Sequence, residues 1–316
     1  MIETRNQRTG LLQSLCALLL IAGVFSARPA LTSEAFHMQF DRVGTTEGLS
    51  QSSVMAITQD QMGFLWFATE SGIDRYDGFD FVNYRRERGN SHTLASDFAR
   101  DLHFAADGTL WVATDGGGLS QWDPATNSFA TWRHNPGDRN SLSSDRIRRV
   151  ATDSTGQVWV GTRGKGLGRL DPATGKVTHY LHDPDDPTSV AGDDIFALAV
   201  DRSGAIWVGT NSGLSRFDAV TDTFQRIEAL AGISVRSLLA DANGQLWVGS
   251  NESGVFRVDT QSFEAAALTH ESANLGSDRV NVLHEDGGGR IWAGTTSGLS
   301  LWMPGNDRFM TFQSDP

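Results

Sequence analysis

Short runs of apolar residues, separated by turn-forming residues, occupy most of the chain. Between residues 195 and 227 the runs are 195–200, 205–210, 214–217 and 224–227, and Asp, Asn, Ser, Thr and Gly lie between them. Runs of this length with such boundaries are typical of β-strands joined by tight turns. An Asp at the start of a turn can accept hydrogen bonds from the backbone, and a Gly near its end can adopt φ > 0. The segment is therefore predicted to be a four-stranded antiparallel meander.

The same pattern occurs six times, each time with a Gly followed three residues later by Trp and then by a small residue and Thr or Ser. The Gly–Trp pairs are Gly63/Trp66, Gly108/Trp111, Gly156/Trp159, Gly204/Trp207, Gly244/Trp247 and Gly289/Trp292. Successive Trp residues are 45, 48, 48, 40 and 45 positions apart, and a fixed motif at this period is typical of repeat architectures. Because side chains alternate along a strand, each Trp shares a face with the small residue two positions later, which lets a neighbouring sheet pack closely.

One meander cannot bury both of its faces, whereas six meanders packed radially around an axis can. The sequence therefore predicts an all-β protein, a β-propeller of four-stranded antiparallel blades with six blades present. A buried Trp removes about 200 Å² from water, which is worth up to ~5 kcal/mol at about 25 cal/mol per Å². We accordingly interpret the six repeated Trp residues as packing between blades and not as ligand platforms.

The two ends of the repeat region predict an additional N-terminal strand and three missing strands of a seventh blade. Residues 36–40 resemble the last strand of a repeat such as 309–312, so 36–43 is predicted to be an extra N-terminal edge strand. Residues 313–316 resemble the opening of a linker between repeats. We therefore expect the propeller, residues 36–316, to be part of a seven-bladed propeller that is incomplete at its C-terminus. An open gap or a distorted closure is expected after blade six.

The first 26 residues predict export. Arg5 and Arg8 precede an apolar run at 11–25, and small residues follow. This pattern is typical of a secretory signal peptide, with an uncleaved N-terminal anchor as the alternative because the run is short for a membrane span. Cys16, the only cysteine, lies in this segment. The mature chain therefore uses no disulfide, no Cys-based catalysis and no Cys-bound metal.

Charge and motifs exclude several classes of function. The formal net charge is −12, and because residues 1–26 carry two Arg and one Glu, the remainder carries −13. This balance argues against nucleic acid and against an anionic membrane surface as partners. The histidines have no zinc-site spacing, no helix is expected to hold such a site, and nucleophile-elbow and kinase motifs do not occur. No catalytic residue, metal or cofactor is predicted.

One row of positions, at the start of the first strand of each repeat, differs from the apolar rows around it. Its members are Met55, Arg100, Arg148, Phe196, Arg236 and Asn281. The first strand of a propeller blade is innermost, so this row is expected near the rim of the central channel. The linkers and the turns between second and third strands are expected at the same end, because both adjoin the start of strand one or the end of strand two.

That end is predicted to bind a ligand. The candidate residues are Arg100, Arg148, Arg149, Arg163, Lys165, Asn211, Arg236 and Asn281, with Asn251 beside them. Guanidinium groups bind carboxylates in a two-pronged manner, so we expect an anionic or polyhydroxylated ligand, for example a uronic-acid-type oligosaccharide. The alternative is that these arginines pair with aspartates of the linkers, such as Asp97, Asp101 and Asp145.

The first repeat resembles that of the two-component regulator propeller family, on residues 48–50, 57–60, 63–69, 71–78 and Phe81. The later Gly-x-Ile/Leu/Val-Trp-Val-Gly-Thr repeats and the Asn-Ser-Leu linkers are similar to the family as well. The resemblance covers about residues 36–316. It implies a periplasmic sensor propeller of a bacterial membrane signalling protein, normally followed by a transmembrane helix and a histidine kinase or diguanylate cyclase. The departures are Ala105 in place of a turn Asp, Met303 in place of Asp, and a short linker between blades four and five.

Three functions follow from these observations. The favoured hypothesis is a non-enzymatic extracytoplasmic sensor that binds a small molecule or oligosaccharide and acts through a signalling output domain; a homodimer is left open. The first alternative is a propeller lyase or hydrolase, because virginiamycin lyase-type propellers have similar Trp-containing blades. The second alternative is a secreted protein-interaction scaffold.

Overall fold

The computed structural model describes residues 42–313, in which six four-stranded sheets are present. Blade one is β1 (Val54–Gln59), β2 (Leu65–Thr69), β3 (Gly72–Tyr76) and β4 (Phe81–Tyr84); blade two is β5 (Ala99–Phe104), β6 (Leu110–Thr114), β7 (Leu119–Asp123) and β8 (Ser128–Trp132); blade three is β9 (Ile147–Thr152), β10 (Val158–Thr162), β11 (Leu167–Leu170) and β12 (Val177–Tyr180). Blade four is β13 (Ile195–Val200), β14 (Ile206–Thr210), β15 (Gly213–Asp218) and β16 (Thr223–Arg226); blade five is β17 (Val235–Ala240), β18 (Leu246–Ser250), β19 (Val255–Val258) and β20 (Ala265–Leu268); blade six is β21 (Val280–Glu285), β22 (Ile291–Thr295), β23 (Gly298–Met303) and β24 (Arg308–Phe312).

Within each blade the strands are antiparallel and hydrogen-bonded in chain order. The first strands of consecutive blades contact one another from β1 to β21, so they surround the axis and the fourth strands lie outermost. The predicted all-β propeller of six four-stranded blades is confirmed.

Two short helical turns lie in linkers, where the sequence predicted none. A 3-10 turn spans Glu228–Leu230 and one α-helical turn, α1, spans His270–Ala273. The side chain of Thr269 accepts a hydrogen bond from the N–H of Ser272, whose own side chain accepts one from the N–H of Thr269. This reciprocal cap satisfies the start of α1 locally. The expectation that the chain contains no helix was therefore wrong.

A carboxylate ties the first turn of five blades to the Trp of the second strand. In blade four, Oδ1 of Asp201 accepts hydrogen bonds from the N–H groups of Ser203 (2.8 Å) and Ala205 (3.1 Å), and Oδ2 accepts one from Nε1 of Trp207 (2.8 Å). The same indole bond joins Asp60 to Trp66, Asp153 to Trp159, Asp241 to Trp247 and Asp286 to Trp292, at 2.8–2.9 Å. Gly204 closes the turn at φ 83°, as predicted. The buried ring thus keeps a partner for its N–H.

In blades three to five the glycine two positions after the Trp receives the next blade. A Cβ added to Gly209 would lie 2.4 Å from Cγ1 of Val235, the first residue of β17. The same close approach joins Gly161 to Ile195 and Gly249 to Val280. Since a blade packs on each side, every residue of β6, β10, β14 and β18 is buried. The predicted role of the Trp-to-glycine spacing in blade packing is confirmed.

Blades one and six each retain an uncovered apolar face. Ile57 is 59% exposed, whereas Leu102, at the same position of blade two, is 7% exposed. On blade six, Val282 is 54% exposed. The segments predicted to be a signal peptide and an edge strand lie outside the described residues, except for residues 42 and 43, which belong to no strand. The edge strand, the seventh blade and the signal peptide therefore stay predictions.

Blades two and three are joined through a buried histidine. Nε2 of His103 on β5 lies 2.8 Å from Oγ1 of Thr152 and accepts a hydrogen bond from the Thr152 N–H at 3.2 Å. Burial lowers the pKa of His103 to about 4. The neutral ring is therefore the form that this interface accommodates.

We expect protonation of His103 to destabilise the protein in mild acid. Its folded pKa lies below the ordinary value of about 6.5, so its contribution to stability is complete above pH ~6.5 and decreases as the pH falls towards 4. When the pH is lowered from 7 to 5, the free energy of unfolding should fall in both proteins, but by about 2 kcal/mol less in His103→Gln than in the wild type. Urea denaturation at the two pH values measures this difference. The control is His284→Gln, because His284 occupies the same position in blade six but is exposed. An unchanged pH dependence in His103→Gln would contradict this role.

Blade two has Ala105 where the other blades have the turn Asp, although its backbone turn is the same. The N–H of Ala105 donates to the carbonyl of Thr109, and that of Gly108 donates to the carbonyl of Ala105, both at 2.9 Å. Ala105→Asp should therefore supply an acceptor for the turn and for Trp111, and raise the free energy of unfolding by about 1 kcal/mol. Asp201→Ala should lower it by about 2 kcal/mol or more, since several hydrogen bonds are lost. Both values can be measured by chemical denaturation, and a destabilising Ala105→Asp would refute the argument.

Candidate functional site

A β-bulge interrupts the first strand of every blade next to its first residue. In blade four Ile195 pairs with Thr210 and Ala197 with Gly209, which leaves Phe196 as the extra residue. The extra residues of the six blades are Met55, Arg100, Arg148, Phe196, Arg236 and Asn281. These are the members of the varied row in the sequence. A bulge bends the strand and redirects the side chain of the extra residue, so the six side chains are presented in the same way at one end of the inner strands.

Bulge residues of three consecutive blades contact one another. The guanidinium carbon of Arg148 lies 4.4 Å from the ring centroid of Phe196, and that of Arg236 lies 5.0 Å from it. Both distances are within the range of cation–π attraction. Arg148, Phe196 and Arg236 therefore share one surface, which we call the bulge surface together with the other three bulge residues.

Four of the predicted arginines lie close together on blades two and three. Burial and the positive charges of Arg163, Arg100 and Arg149 lower the pKa of Arg148 from its usual value, while Asp194 opposes the shift. Nη1 of Arg148 lies 3.3 Å from Oδ1 of Asp194, without hydrogen-bonding geometry. The Arg148 side chain is 22% exposed to solvent. One carboxylate thus balances only part of the local positive charge.

The alternative, pairing of the arginines with aspartates, is correct in part and with different partners. Asp115 pairs with Arg100 through Oδ2 and with Arg146 through Oδ1, each at 2.9 Å. Burial alone would raise the pKa of Asp115, but the hydrogen bonds from Arg146 and Arg100 outweigh it and the pKa is lowered. Asp115 is therefore ionised in the folded protein.

The aspartates named from the sequence have other roles. Asp145 pairs with Arg133 at 2.6 Å, and Asp97 accepts a hydrogen bond from the N–H of Arg86 at 2.7 Å. Of the three, Asp101 alone interacts with one of the candidate arginines: burial raises the pKa of Asp101 and the charge of Arg149 opposes the shift. The sequence showed the number of linker acids but not the direction in which each side chain turns.

The remaining candidate residues lie around the same end of the blades, as predicted. The N–H of Gly166 donates to the carbonyl of Asp193 and that of Asn211 to the carbonyl of Asp194, at 3.0 and 3.2 Å, which places linkers beside the turns between second and third strands. Arg163, Lys165, Asn211 and Asn281 are exposed there. Asn251 instead donates to the carboxylate of Glu252 at 3.0 Å. The structure therefore brings together the arginines of blades two, three and five and leaves Asn211, Asn251 and Asn281 at a shared rim.

Three members of the site were not identified from the sequence. Phe196 is the ring between two guanidinium groups, and Asp115 and Asp194 are the acids that hold Arg100 and Arg148. A signal for Asp115 existed, because it directly follows the Ala-Thr pair of blade two, at the position of Arg163 in blade three. Asp194 gave no comparable signal among the many linker acids.

Residues 42–313 hold no group of three or more His, Cys, Asp or Glu side chains arranged to bind a metal ion. In the same residues no helix has the length and apolar character needed to cross a membrane.

The repeats were compared with models of known protein families. Four segments, 48–71, 141–164, 189–212 and 229–252, match the family described as Two component regulator propeller. Each segment contains a bulge residue and the Trp of the following strand. In these four segments the chain is similar to the two-component regulator propeller family. The resemblance noted from the first repeat is confirmed.

Individual relatives agree with this assignment. The extracellular domain of the hybrid two component system BT3049 from B. thetaiotaomicron superimposes with a TM-score of 0.74 and is 25% identical, over 87% of this chain and 37% of that one. Histidine kinase P4 from Formosa agariphila is 35% identical over 66 residues, which are 21% of this chain and 5% of that protein. The chain thus spans less than two thirds of the length of either relative.

A third relative shares the fold alone. Virginiamycin B lyase from Staphylococcus aureus superimposes with a TM-score of 0.64 over 83% of this chain and 85% of the lyase, at 13% identity. At that identity the likeness carries no information on activity.

Proposed function

We propose that this propeller is an extracytoplasmic sensor module of a bacterial transmembrane signalling protein, and that it binds an anionic or polyhydroxylated ligand at the bulge surface. The observation that carries the proposal is the β-bulge repeated in all six blades, which presents Arg100, Arg148, Phe196 and Arg236 on consecutive blades. The extracellular domain and the histidine kinase that it resembles support the signalling role.

The bulge surface is cationic in a chain whose net charge is −12. Arg100 and Arg148 are tethered to Asp115 and Asp194, which fixes their position without cancelling the charge of the cluster. Within residues 42–313, Arg163 and Lys165 have no carboxylate within ion-pair distance. Planar guanidinium groups held in this way favour carboxylates, and they can also donate hydrogen bonds to hydroxyl groups. A uronic-acid-type oligosaccharide combines both chemistries.

The same geometry favours binding without catalysis. Asp101, whose pKa is raised by burial beside Arg149, accepts a hydrogen bond from the N–H of Val150 through Oδ2. Asp115 and Asp194 are engaged by arginines, and Asp115 has a lowered pKa. A carboxylate held ionised in this way is a poor general acid near neutral pH. Signal transfer would then pass to an output domain, a histidine kinase or diguanylate cyclase, in the same protein or in a partner. The lyase or hydrolase alternative is supported by fold similarity alone.

Arg148→Ala should weaken binding about tenfold or more, because a charge-assisted contact contributes about 1.5–3 kcal/mol. The measurement is calorimetric titration of the wild type and the variant with oligogalacturonates and with neutral cello-oligosaccharides. Arg308→Ala is the matched control, since Arg308 is exposed on β24, the outermost strand of blade six. The absence of oligosaccharide binding by the wild type, or equal affinity of both proteins, would discard the site. Cleavage of the oligosaccharides or of a lactone substrate during the assay would instead favour an enzyme.

A further inference from the structure

At two of the blade interfaces, an arginine of the third strand forms an ion pair with an aspartate of the next blade. Nη1 of Arg169 on β11 lies 3.0 Å from Oδ1 of Asp222, and Nη1 of Arg257 on β19 lies 3.2 Å from Oδ1 of Asp307. Asp222 and Asp307 occupy the same position in the turn between third and fourth strands, with φ of 58° and 54°. We call this arrangement the inter-blade clamp.

A tyrosine completes the clamp between blades three and four. The hydroxyl of Tyr180, the last residue of β12, donates to Oδ1 of Asp222 at 2.8 Å. The rings of Tyr180 and Phe217 pack edge to face, with centroids 5.7 Å apart. The carboxylate of Asp222 therefore accepts from a guanidinium and a phenol at once, in a pocket walled by aromatic rings.

Between blades one and two the same donors are present but the carboxylate is absent. Arg75 pairs with Trp66 across the ladder as Arg169 pairs with Trp159, and Tyr84 ends β4 as Tyr180 ends β12. The turn residue of blade two with φ 53° is Asn127. Among residues 42–313 no carboxylate lies within ion-pair distance of Arg75, whose guanidinium lies 5.2 Å from the Phe64 ring centroid.

A cavity of about 520 Å³ lies at this interface. Its lining includes Arg75 and Asn127 together with the aromatic rings of Phe64, Tyr84, Phe104 and Trp122. All four rings are partly exposed, whereas Phe217, which takes the place of Trp122 at the closed interface, is buried. A volume of this size is within the range of small-molecule sites.

Other polar groups of the cavity are already occupied. Asp60 lines it as well, but its two oxygens accept hydrogen bonds from the N–H groups of Met62 and Phe64 and from Nε1 of Trp66. Nε1 of Trp122 donates to Oδ1 of Asn127 at 3.3 Å. The guanidinium of Arg75 and the hydroxyl of Tyr84 are thus the donors that match those engaged by Asp222 at the other interface.

We propose that the cavity between blades one and two binds a small planar aromatic carboxylate. Its carboxylate occupies the position that the Asp222 side chain fills between blades three and four, and its ring packs among Phe104, Trp122 and Tyr84. This site is separate from the bulge surface, which lies at the other end of the inner strands, and it does not depend on the function proposed for that surface.

The test is calorimetric titration of the protein with 2-naphthoate and with the uncharged 2-naphthamide. The wild type should bind 2-naphthoate at least tenfold more tightly than the amide, because only the acid offers a partner to Arg75. Asn127→Asp should weaken 2-naphthoate binding at least tenfold, since it restores the inter-blade clamp from within the chain. Arg75→Gln should weaken it to a similar extent by removing the guanidinium.

The control is Asn306→Asp, which introduces the same charge at an exposed turn of blade six and should leave binding unchanged. Thermal unfolding provides a second measurement: Asn127→Asp should unfold at a temperature no lower than the wild type, because Asp222 and Asp307 adopt the same left-handed conformation. No binding of 2-naphthoate at millimolar concentration would overturn the proposal. Equal affinity for the acid and the amide, or binding that persists in both Asn127→Asp and Arg75→Gln, would also overturn it.

Discussion

The hydrogen bond from the indole of each repeated Trp to the carboxylate of the preceding turn is the contact on which the blade geometry depends. One side chain, such as Asp201, shapes the turn through its first oxygen and fixes Trp207 through its second. The glycine two positions after the Trp lies on the same face and makes close contact with the next blade. Local turn chemistry and long-range packing are therefore coupled through a single residue in each of five blades. Blade two keeps the turn and the buried Trp111 without that residue, so neighbouring blades also hold the geometry in place.

Most of the fold could be predicted because it is repeated. Six copies of a Gly-to-Trp spacing identify the strands, their order and the buried face, and an error in one copy is corrected by the others. Features that occur once, such as the helical turn His270–Ala273, have no second copy and were missed. The uncovered faces that bear Ile57 and Val282 also could not be assigned from periodicity, because exposure depends on which neighbour is present.

The location of the candidate residues in the fold could be predicted, but their contacts could not. Counting back from the turn Asp located the varied row, because the spacing to that residue is constant. The count could not show that the row consists of β-bulges, since an extra residue in a ladder is defined by the pairing of the partner strand. Nor could it select Asp115 and Asp194 among the linker acids, because that choice depends on side-chain direction.

Electrostatics operate differently at the centre and at the outer edge of the blades. Near the axis, like charges are held together by two aspartates and by the ring of Phe196, which leaves an excess of positive charge. Between outer strands, an arginine and an aspartate such as Arg169 and Asp222 neutralise each other and join neighbouring blades.

The bulge has a consequence for how such a protein diversifies. A bulge residue is left out of the strand ladder, so its side chain can change without altering the backbone pairing. In six blades it is already methionine, arginine, phenylalanine or asparagine. Each blade therefore contributes one variable side chain to the surface around the axis. Selection can revise recognition one position at a time while the strand pairing is kept.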